Sequence, residues 1–193
     1  EFPEQHAHRH LHHVEKMIDG ASDLPERTRA RAKQVFRKLG EAEAAVHGIS
    51  IEKVHFHEVG AVDSICDIVG ACLGLELLGV DDVYVSAINV GSGTVQCEHG
   101  LMPVPAPATA RLLTGQPTYA HGPQMELTTP TGAAIAAALA VRFGAMPAMK
   151  VEKIGFGAGT KDFKGHANVL RVMVGQASGA VEATTVTVIE ANI

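Results

Sequence analysis

Apolar residues recur with a helical period near the start of the chain. Leu11, Val14 and Ile18 are spaced three and four positions apart, which predicts a buried stripe on a helix that ends at Gly20. A second helix is predicted to follow and to run to about His47, because its apolar residues keep the same period. Its predicted buried face comprises Ala32, Val35, Phe36, Leu39, Ala42 and Val46.

Strand patterns and helix patterns alternate through the rest of the chain. Residues 54–57 (VHFH) predict a short strand, and residues 62–79 predict a helix that is apolar nearly all round and therefore buried. The β-branched residues 83–90 predict a buried strand. The further predicted elements are helices at 106–114 and after the N-cap Thr129, strands at 149–154, 168–174 and 184–191, and a glycine loop at 155–160.

Interleaved strands and helices are typical of an α/β fold, and we expect a layered mixed sheet with packed helices. The length of 193 residues suits one domain or two small ones. Residues 1–175 are predicted to form the α/β domain, and residues 176–193 a linker and the first strand of a second domain. Because residue 1 is not Met and the chain stops within a strand, we expect a fragment of a longer protein, truncated at its N-terminus.

Composition and charge argue against several classes of partner. The chain carries 16 Lys and Arg residues against 21 Asp and Glu residues and has no Trp, so neither the basic patch nor the stacking platform of a nucleic-acid-binding protein is expected. No apolar run is long enough to cross a bilayer, so no membrane partner is expected. Cys66, Cys72 and Cys97 form no CxxC pair and favour a reducing compartment, which predicts a cytoplasmic protein.

The segment HFHEVGAVDSICD concentrates possible metal ligands and proton carriers before an apolar helix. His55 and His57 share one face of the predicted strand, and imidazoles suit nickel, zinc, copper and iron. Asp63 and Asp67 share one helix face and, with Glu58, can complete a mixed site or move protons. The alternatives are that Asp63 only caps the helix and that Glu58 is a surface residue.

The segment HAHRHLHH near the start contains five histidines. In a helix, His6, His10 and His13 would share one face, and His8 and His12 another, so either set can bind a borderline divalent ion. The alternatives are the remnant of a purification tag or a tail that sequesters metal, although interruption by Ala, Arg and Leu argues against a tag. We take His8, His10 and His12 as candidate ligands.

Two loops offer further candidate groups. Cys97 and His99 lie two residues apart and can ligate one metal ion, and the alternative is a core cysteine beside a loop histidine. Thr129 and Thr131 open a helix whose N-terminus would attract an anion such as phosphate through its N–H groups and dipole. The alternative for the threonines is an ordinary capped helix.

The segment GFGAGTKD has glycines at alternate positions, Gly155, Gly157 and Gly159, followed by Lys161 and Asp162. Its order is not GxGxxG, and a strand rather than a helix follows, so the context of a dinucleotide fingerprint is absent. Glycines permit close backbone approach and Lys161 can hold a phosphate, so these four positions are candidates for phosphate binding. Asp162 either binds a metal ion or caps the loop.

Taken together, these motifs resemble the LarC family of nickel-insertion proteins. The segments that carry the resemblance are HRHL, HFHEVGAVDSI, GSGTV, HGLMPVPAPAT, LTTPTGAA and GFGAGTKD. The resemblance implies insertion of Ni²⁺, the substrate metal, into pyridinium-3,5-bisthiocarboxylic acid mononucleotide. This CTP-dependent cyclometallation, a lyase reaction, makes the nickel-pincer nucleotide cofactor of lactate racemase. The resemblance also implies that Mn²⁺ and CTP act in a C-terminal domain beginning near VTVIEANI, outside this chain, and that the full-length protein is a homo-oligomer.

The implied chemistry gives the candidate residues roles. Forming a nickel–carbon bond removes a ring C–H proton, so a base near the metal is needed. Two other functions stay open: a nickel store or chaperone without chemistry, and a metal-dependent hydrolase that uses the HxH pair. The candidate bases are Glu58, Asp63 and Asp67, the candidate metal ligands His8, His10, His12, His55, His57 and His99, and the candidate contacts to the mononucleotide Thr129, Thr131, Gly155, Gly157, Gly159 and Lys161.

Overall fold

The protein combines five α-helices with nine strands over residues 9–56, 62–97, 100–178 and 185–191, the part of the chain that the computed structural model describes. The predicted α/β class is confirmed. The helices are α1 Leu11–Gly20, α2 Glu26–His47, α3 Val62–Leu77, α4 Pro107–Leu112 and α5 Pro130–Leu139, with a short 3₁₀ helix at Ile51–Lys53. The strands are β1 Asp82–Val85, β2 Ile88–Asn89, β3 Thr94–Cys97, β4 Gly100–Pro103, β5 Thr118–Tyr119, β6 Ala140–Phe143, β7 Met149–Ala158, β8 Val169–Ala177 and β9 Thr185–Ala191.

Helix α2 is the centre of the helical layer, and α1, α3, α4 and α5 all pack against it. The predicted stripe of α1 is confirmed, because Leu11, Val14 and Ile18 are all buried. The predicted face of α2 is buried as well, except that Val46 is 40% exposed. Gly48 ends α2 with a left-handed φ of 64°, a conformation that glycine adopts without steric cost.

A cluster of apolar side chains joins the helices to the segment that follows the 3₁₀ helix. Phe56 is 1% exposed and meets the buried ring of Phe36 edge-on, with the ring centroids 6.2 Å apart. Full burial of one such side chain stabilises a fold by roughly 1.5–3 kcal/mol. Phe56 is therefore anchored in the core, and its neighbour His55 is held at the surface above it.

Five strands form a mixed sheet in the order β6-β1-β9-β8-β7. Strand β1 is parallel to β6 and β9, whereas β8 is antiparallel to β9 and β7. The predicted final strand is confirmed, and it lies between β1 and β8 rather than at an edge. A division of the chain near residue 176, with a second domain after it, stays a prediction.

Two predictions about the region before the sheet are wrong. Residues 54–55 are not in a strand, because the preceding 3₁₀ turn continues with the Val54 N–H donating to the Ile51 carbonyl, and Phe56 makes only an isolated bridge to Arg9. Helix α3 is not buried all round. It buries one face, whereas Leu77 at its end is 77% exposed.

Two further predictions fail at the sheet. The single strand predicted at 83–90 is two strands, because the chain leaves the large sheet after Val85 and β2 pairs with β5 instead. The glycine loop predicted at 155–160 is a strand as far as Ala158, because β7 continues along β8 through Gly155 and Gly157. Among the described residues, no helix is both long and apolar enough to cross a membrane.

Candidate functional site

The start of α1 is tied to the segment that carries His55. The Phe56 N–H donates to the Arg9 carbonyl at 3.0 Å. A second contact joins the next residue of the first segment to the residue two positions before Phe56: Nδ1 of His10 lies 3.0 Å from the Val54 carbonyl oxygen. These two contacts bring together parts of the chain that are far apart in sequence, and they place two histidine-bearing segments side by side.

Four imidazole rings meet where these segments touch, and we call His10, His12, His13 and His55 the histidine cluster. The ring centroids of His10 and His55 lie 4.1 Å apart, and those of His12 and His13 lie 3.9 Å apart. His10 bridges the two pairs, at 5.6 Å from His12 and 5.7 Å from His13. The fold therefore brings together three candidate ligands, His10, His12 and His55, and adds His13, which the sequence predicted to share a helix face with His10 but which was not among the candidate ligands.

The hydrogen bonds of the cluster determine which ring nitrogen of His10 and of His13 carries the proton in the neutral form. A carbonyl oxygen can only accept, so the contact with Val54 places the His10 proton on Nδ1 and leaves a lone pair on Nε2. His13 has the opposite arrangement, because its Nδ1 accepts the His10 backbone N–H at 3.3 Å and its proton lies on Nε2. His10 thus has the pattern of a metal-ligating histidine, whose second ring nitrogen donates to a carbonyl.

Charge and desolvation also distinguish His13. Desolvation lowers the pKa of His13, and the nearby charges of His12, His10 and Lys16 lower the pKa further. A lowered pKa keeps an imidazole neutral, and only a neutral imidazole binds a metal ion. His13 therefore stays neutral to a lower pH than an isolated imidazole would, but its Nδ1 lone pair is already used by the His10 backbone N–H.

The cluster contains only part of the predicted metal-binding set. His8, His57, His99 and the candidate base Glu58 lie outside the described residues. Within the described ranges, no three or more His, Cys, Asp or Glu side chains are arranged to hold one metal ion. Cys97, the predicted partner of His99, is half-buried on β3, and its Sγ donates to the Gly100 carbonyl. The role of each predicted ligand stays a prediction.

Asp63 and Asp67 lie on the exposed part of α3. The prediction of a helix buried nearly all round at residues 62–79 implied a buried Asp67, and this is wrong, because the side chain of Asp67 is exposed. Asp63 Oδ1 accepts the adjacent Ser64 backbone N–H at 2.8 Å within the first turn of α3, where an acidic residue is favoured by the helix dipole. The role of Asp63 or Asp67 as a base stays a prediction. An exposed carboxylate can also accept a proton.

The predicted N-cap of α5 is confirmed. Thr129 Oγ1 accepts the Gly132 backbone N–H at 3.4 Å, and Pro130 takes the first helical position. This geometry is that of an ordinary capped helix, the alternative given for Thr129 above. Thr131 is half-buried in the first turn. A contact of either threonine with phosphate stays a prediction.

The predicted phosphate loop does not form as one unit. Gly155 and Gly157 are exposed residues of β7, so their backbone groups belong to a strand rather than to an anion-binding loop. Gly159 and Lys161 follow in the connection to β8, where both are tied to Asn168: the Gly159 N–H donates to the Asn168 carbonyl, and Asn168 Nδ2 donates to the Lys161 carbonyl. Only this connection has the form of a loop.

The chain matches known proteins along its whole length. A family model described as "Nickel insertion protein" matches residues 1–193. A protein of Staphylococcus epidermidis, named pyridinium-3,5-bisthiocarboxylic acid mononucleotide nickel insertion protein, is 52% identical over 170 residues, which cover 88% of this chain and 42% of that protein. A protein with the same name from Desulfitobacterium hafniense is 51% identical over 173 residues, with 90% and 42% covered.

A relative from Rhodopirellula baltica is 49% identical over 199 residues, which cover 100% of this chain and 50% of that protein. The chain spans about half the length of the curated relatives it matches. No solved structure matches it. The match of the family model to every residue, together with the identity to these relatives, confirms the resemblance seen in the motifs: the chain belongs to the family of nickel insertion proteins.

Proposed function

We propose that the protein containing this chain inserts Ni²⁺ into pyridinium-3,5-bisthiocarboxylic acid mononucleotide, and that the histidine cluster carries the ion before insertion. The names of the relatives at about half identity support the reaction. The observation that carries the role of the cluster is the hydrogen bond from His10 Nδ1 to the Val54 carbonyl, which leaves Nε2 as a metal ligand.

The exposure of the cluster suits an ion that must be handed over. Nickel is the substrate metal here, so its protein ligands have to exchange. Neutral imidazoles bind nickel well. His12 and His55 are exposed and His10 is half-buried, so an incoming organic ligand can reach the ion and displace the rings one at a time. A closed four-cysteine site would hold the metal structurally and would not release it.

The insertion step needs a base as well as a ligand set. Two thiocarboxylate sulfurs of the mononucleotide replace imidazoles on the ion, and the nickel–carbon bond forms as the ring C–H bond breaks. The proton leaves to a carboxylate, for which Glu58, Asp63 and Asp67 are the candidates. Asp63 and Asp67 lie four residues apart on the exposed part of α3, which also follows the histidine-bearing segment directly in the chain.

We place Mn²⁺ and CTP in the part of the protein outside this chain. The resemblance assigns both to a C-terminal domain that begins near VTVIEANI, and among the described residues no three His, Cys, Asp or Glu side chains surround one metal position. As part of the same proposal, the full protein is a cytoplasmic homo-oligomer. Its product is the nickel-pincer cofactor of lactate racemase, and its reaction belongs to the lyase class.

A nickel store or chaperone is the second candidate. It is favoured by the same exposed imidazoles, because a store needs ligands but no base. The two functions separate when binding and insertion are measured on the same variants. A metal-dependent hydrolase that uses the HxH pair is the third candidate, and turnover of model esters or amides by the metal-loaded protein without the pyridinium precursor would identify it.

The test uses the full-length protein with the substitutions His55→Ala and Asp67→Asn, and His47→Ala as a control. His47 is a histidine at the end of α2 that contacts Glu43 and is not part of the cluster. Bound nickel is measured by mass spectrometry of the metal, and insertion by the absorbance of the nickel-pincer product. We expect D67N to keep its nickel and lose insertion, and H55A to lose nickel. A fall in insertion that merely follows nickel content in both variants would support the chaperone instead.

A further inference from the structure

A cavity of about 420 Å³ lies between two loops that the histidine cluster does not involve. One wall is the segment 121–123, which leads towards α5, and the other is the connection between β7 and β8 at residues 162–166. Pockets that bind small molecules span roughly 300–1,000 Å³, so the cavity is large enough for one nucleotide-sized ligand.

The first wall is fixed to the core by a buried asparagine. Asn89 is 1% exposed, and its Nδ2 donates to the His121 carbonyl at 2.9 Å while its Oδ1 accepts the His121 N–H at 3.1 Å. The pairing of β2 with β5 holds this part of the chain in place as well. His121 therefore has a defined position at the mouth of the cavity, although its side chain is exposed.

The second wall is a tight turn that presses on the first. The His166 N–H donates to the Phe163 carbonyl at 3.3 Å, and Gly165 has a positive φ of 75° within the turn. A Cβ atom on Gly122 would lie 2.7 Å from the imidazole of His166, closer than such atoms approach. The imidazole ring of His166 therefore packs directly against the backbone of Gly122. This contact between the two loops shapes the cavity.

The side chains around the cavity combine a cation, imidazoles, an aromatic ring and one carboxylate. Lys164 supplies a full positive charge, and the rings of His121 and His166 are 6.0 Å apart. Phe163 lies 6.2 Å from the His166 ring, and Asp162 completes the lining. Nε2 of His166 is buried and has no hydrogen-bond partner among the described residues, although buried ring nitrogens are ordinarily paired.

This set matches a phosphate-bearing ligand with a flat ring better than it matches a metal ion. Lys164 and imidazole N–H groups bind a phosphate monoester through charge-assisted hydrogen bonds. An aromatic side chain stacks on a flat cationic ring, and a carboxylate accepts from sugar hydroxyls. His121, His166 and Asp162 are all described residues, yet they do not form a three-ligand cation group.

We propose that this cavity binds the pyridinium mononucleotide, with its phosphate at Lys164 and His121 and its ring against Phe163. The choice of ligand rests on the proposed function, whereas the phosphate preference rests on the lining alone. The predicted contacts at Gly159 and Lys161 fit this location, because both lie in the loop that leads into the second wall.

The test measures binding of nicotinic acid mononucleotide, a pyridinium mononucleotide, to the full-length protein by calorimetry. The matched variants are Lys164→Gln, in the cavity, and Lys153→Gln, an exposed lysine on β7 outside it. We expect K164Q to weaken binding about tenfold or more and K153Q to change it less than about twofold. The nucleoside without its phosphate should bind the unchanged protein about tenfold more weakly, and inorganic phosphate should compete with the mononucleotide.

The proposal is overturned if K164Q binds as the unchanged protein does, if the nucleoside binds as well as the mononucleotide, or if the unchanged protein does not bind the mononucleotide at millimolar concentration. Retention of nickel by a His121→Ala and His166→Gln double variant is expected, and loss of nickel there would identify a metal site instead. If K164Q loses mononucleotide binding but the unchanged protein inserts no nickel, the cavity keeps its assignment as a mononucleotide site. Only the proposed function would then be rejected.

Discussion

His10 and Val54 are joined across 44 residues by a hydrogen bond of 3.0 Å between the imidazole Nδ1 and the backbone carbonyl. The bond fixes the tautomer of His10 with its lone pair on Nε2, whereas His13 in the same cluster is held in the other tautomer by the His10 backbone N–H. Nε2 can therefore bind a metal ion in His10 but not in His13, although the two rings are neighbours. Substituting each histidine in turn tests this difference.

We predict that His10→Ala weakens nickel binding by roughly 10- to 100-fold, the range typical of losing a well-oriented metal-site group. His13→Ala should weaken binding by less than about threefold, because the Nδ1 lone pair of His13 already accepts the His10 backbone N–H and its Nε2 carries the proton. Calorimetric titration of each variant with Ni²⁺ makes the comparison. Equal losses in the two variants would show that tautomer orientation does not set the affinity of the cluster.

The helical elements were predictable from the sequence because their stabilising contacts are periodic. The spacing of Leu11, Val14 and Ile18 specifies a buried stripe without reference to any other part of the chain. The N-cap of α5 was predictable for the same reason, because Thr129 and Pro130 act on the residues directly after them. Local rules suffice wherever the partner of a residue lies within one or two helical turns.

The contacts that assemble the candidate sites were not predictable in this way. The isolated bridge between Arg9 and Phe56 replaced a strand expected from the VHFH pattern, because the 3₁₀ turn before it ends any regular pairing. The approach of Gly122 to His166 links loops more than forty residues apart and has no periodic signal. Neither His121 nor His166 was among the candidate residues for this reason.

Asn89 is predicted to be the most costly polar residue to remove near the cavity. Asn89→Ala deletes its hydrogen bonds to both backbone groups of His121 and to the Gly91 N–H, and it leaves these groups without their partner. Each buried group left unpaired costs roughly 1–3 kcal/mol, so we expect a loss of about 2–4 kcal/mol in the free energy of unfolding. Urea denaturation followed by circular dichroism measures the loss.

The matched control for Asn89 is Gln96→Ala. Gln96 is an exposed residue of β3, and its side-chain amide donates to the adjacent Cys97 carbonyl. Substitutions at such surface positions change stability by about 0.5 kcal/mol or less. If N89A were no more destabilising than Q96A, the asparagine would not be holding the first wall of the cavity in place.

Comparing Gly122→Ala with Gly115→Ala should distinguish the cost of backbone strain from the cost of disturbing the contact between the two loops. Gly122 has a φ of 90° and no room for a Cβ against His166, whereas Gly115 has a φ of 80° and open space around it. Both alanine variants therefore carry similar backbone strain, and only G122A must also push the second loop away. We expect G122A to lose roughly 1–3 kcal/mol more than G115A, the usual cost of overpacking.

Hydrogen exchange gives a second, local readout for the same pair of variants. In G122A, the His166 amide should exchange faster, because the turn that protects it is displaced from the first wall. In G115A, the exchange of that amide should be unchanged. Equal stability loss together with unchanged exchange in G122A would mean that the loops are not in contact in solution.

The final prediction concerns Cys72, whose thiol faces the core between the helices, and Cys66, which is exposed on the same helix. Burial raises the pKa of the Cys72 thiol to about 11, against a smaller opposing effect of Arg31. The thiolate is the reactive form, so a disulfide reagent at pH 8 should modify Cys66 in the folded protein and Cys72 only after unfolding.

The same raised pKa sets the direction of a pH effect on stability. Between about pH 9 and 11 the unfolded chain releases the Cys72 proton while the folded chain keeps it, so the folded state becomes less favoured as the pH rises. We expect this residue to remove about 1–2 kcal/mol across that window. Because other groups titrate there too, the measurement is the difference in pH slope between the unchanged protein and Cys72→Ala, with Cys66→Ala as the matched control. Only C72A should flatten the slope, and a slope that is identical in all three proteins would contradict burial of this thiol.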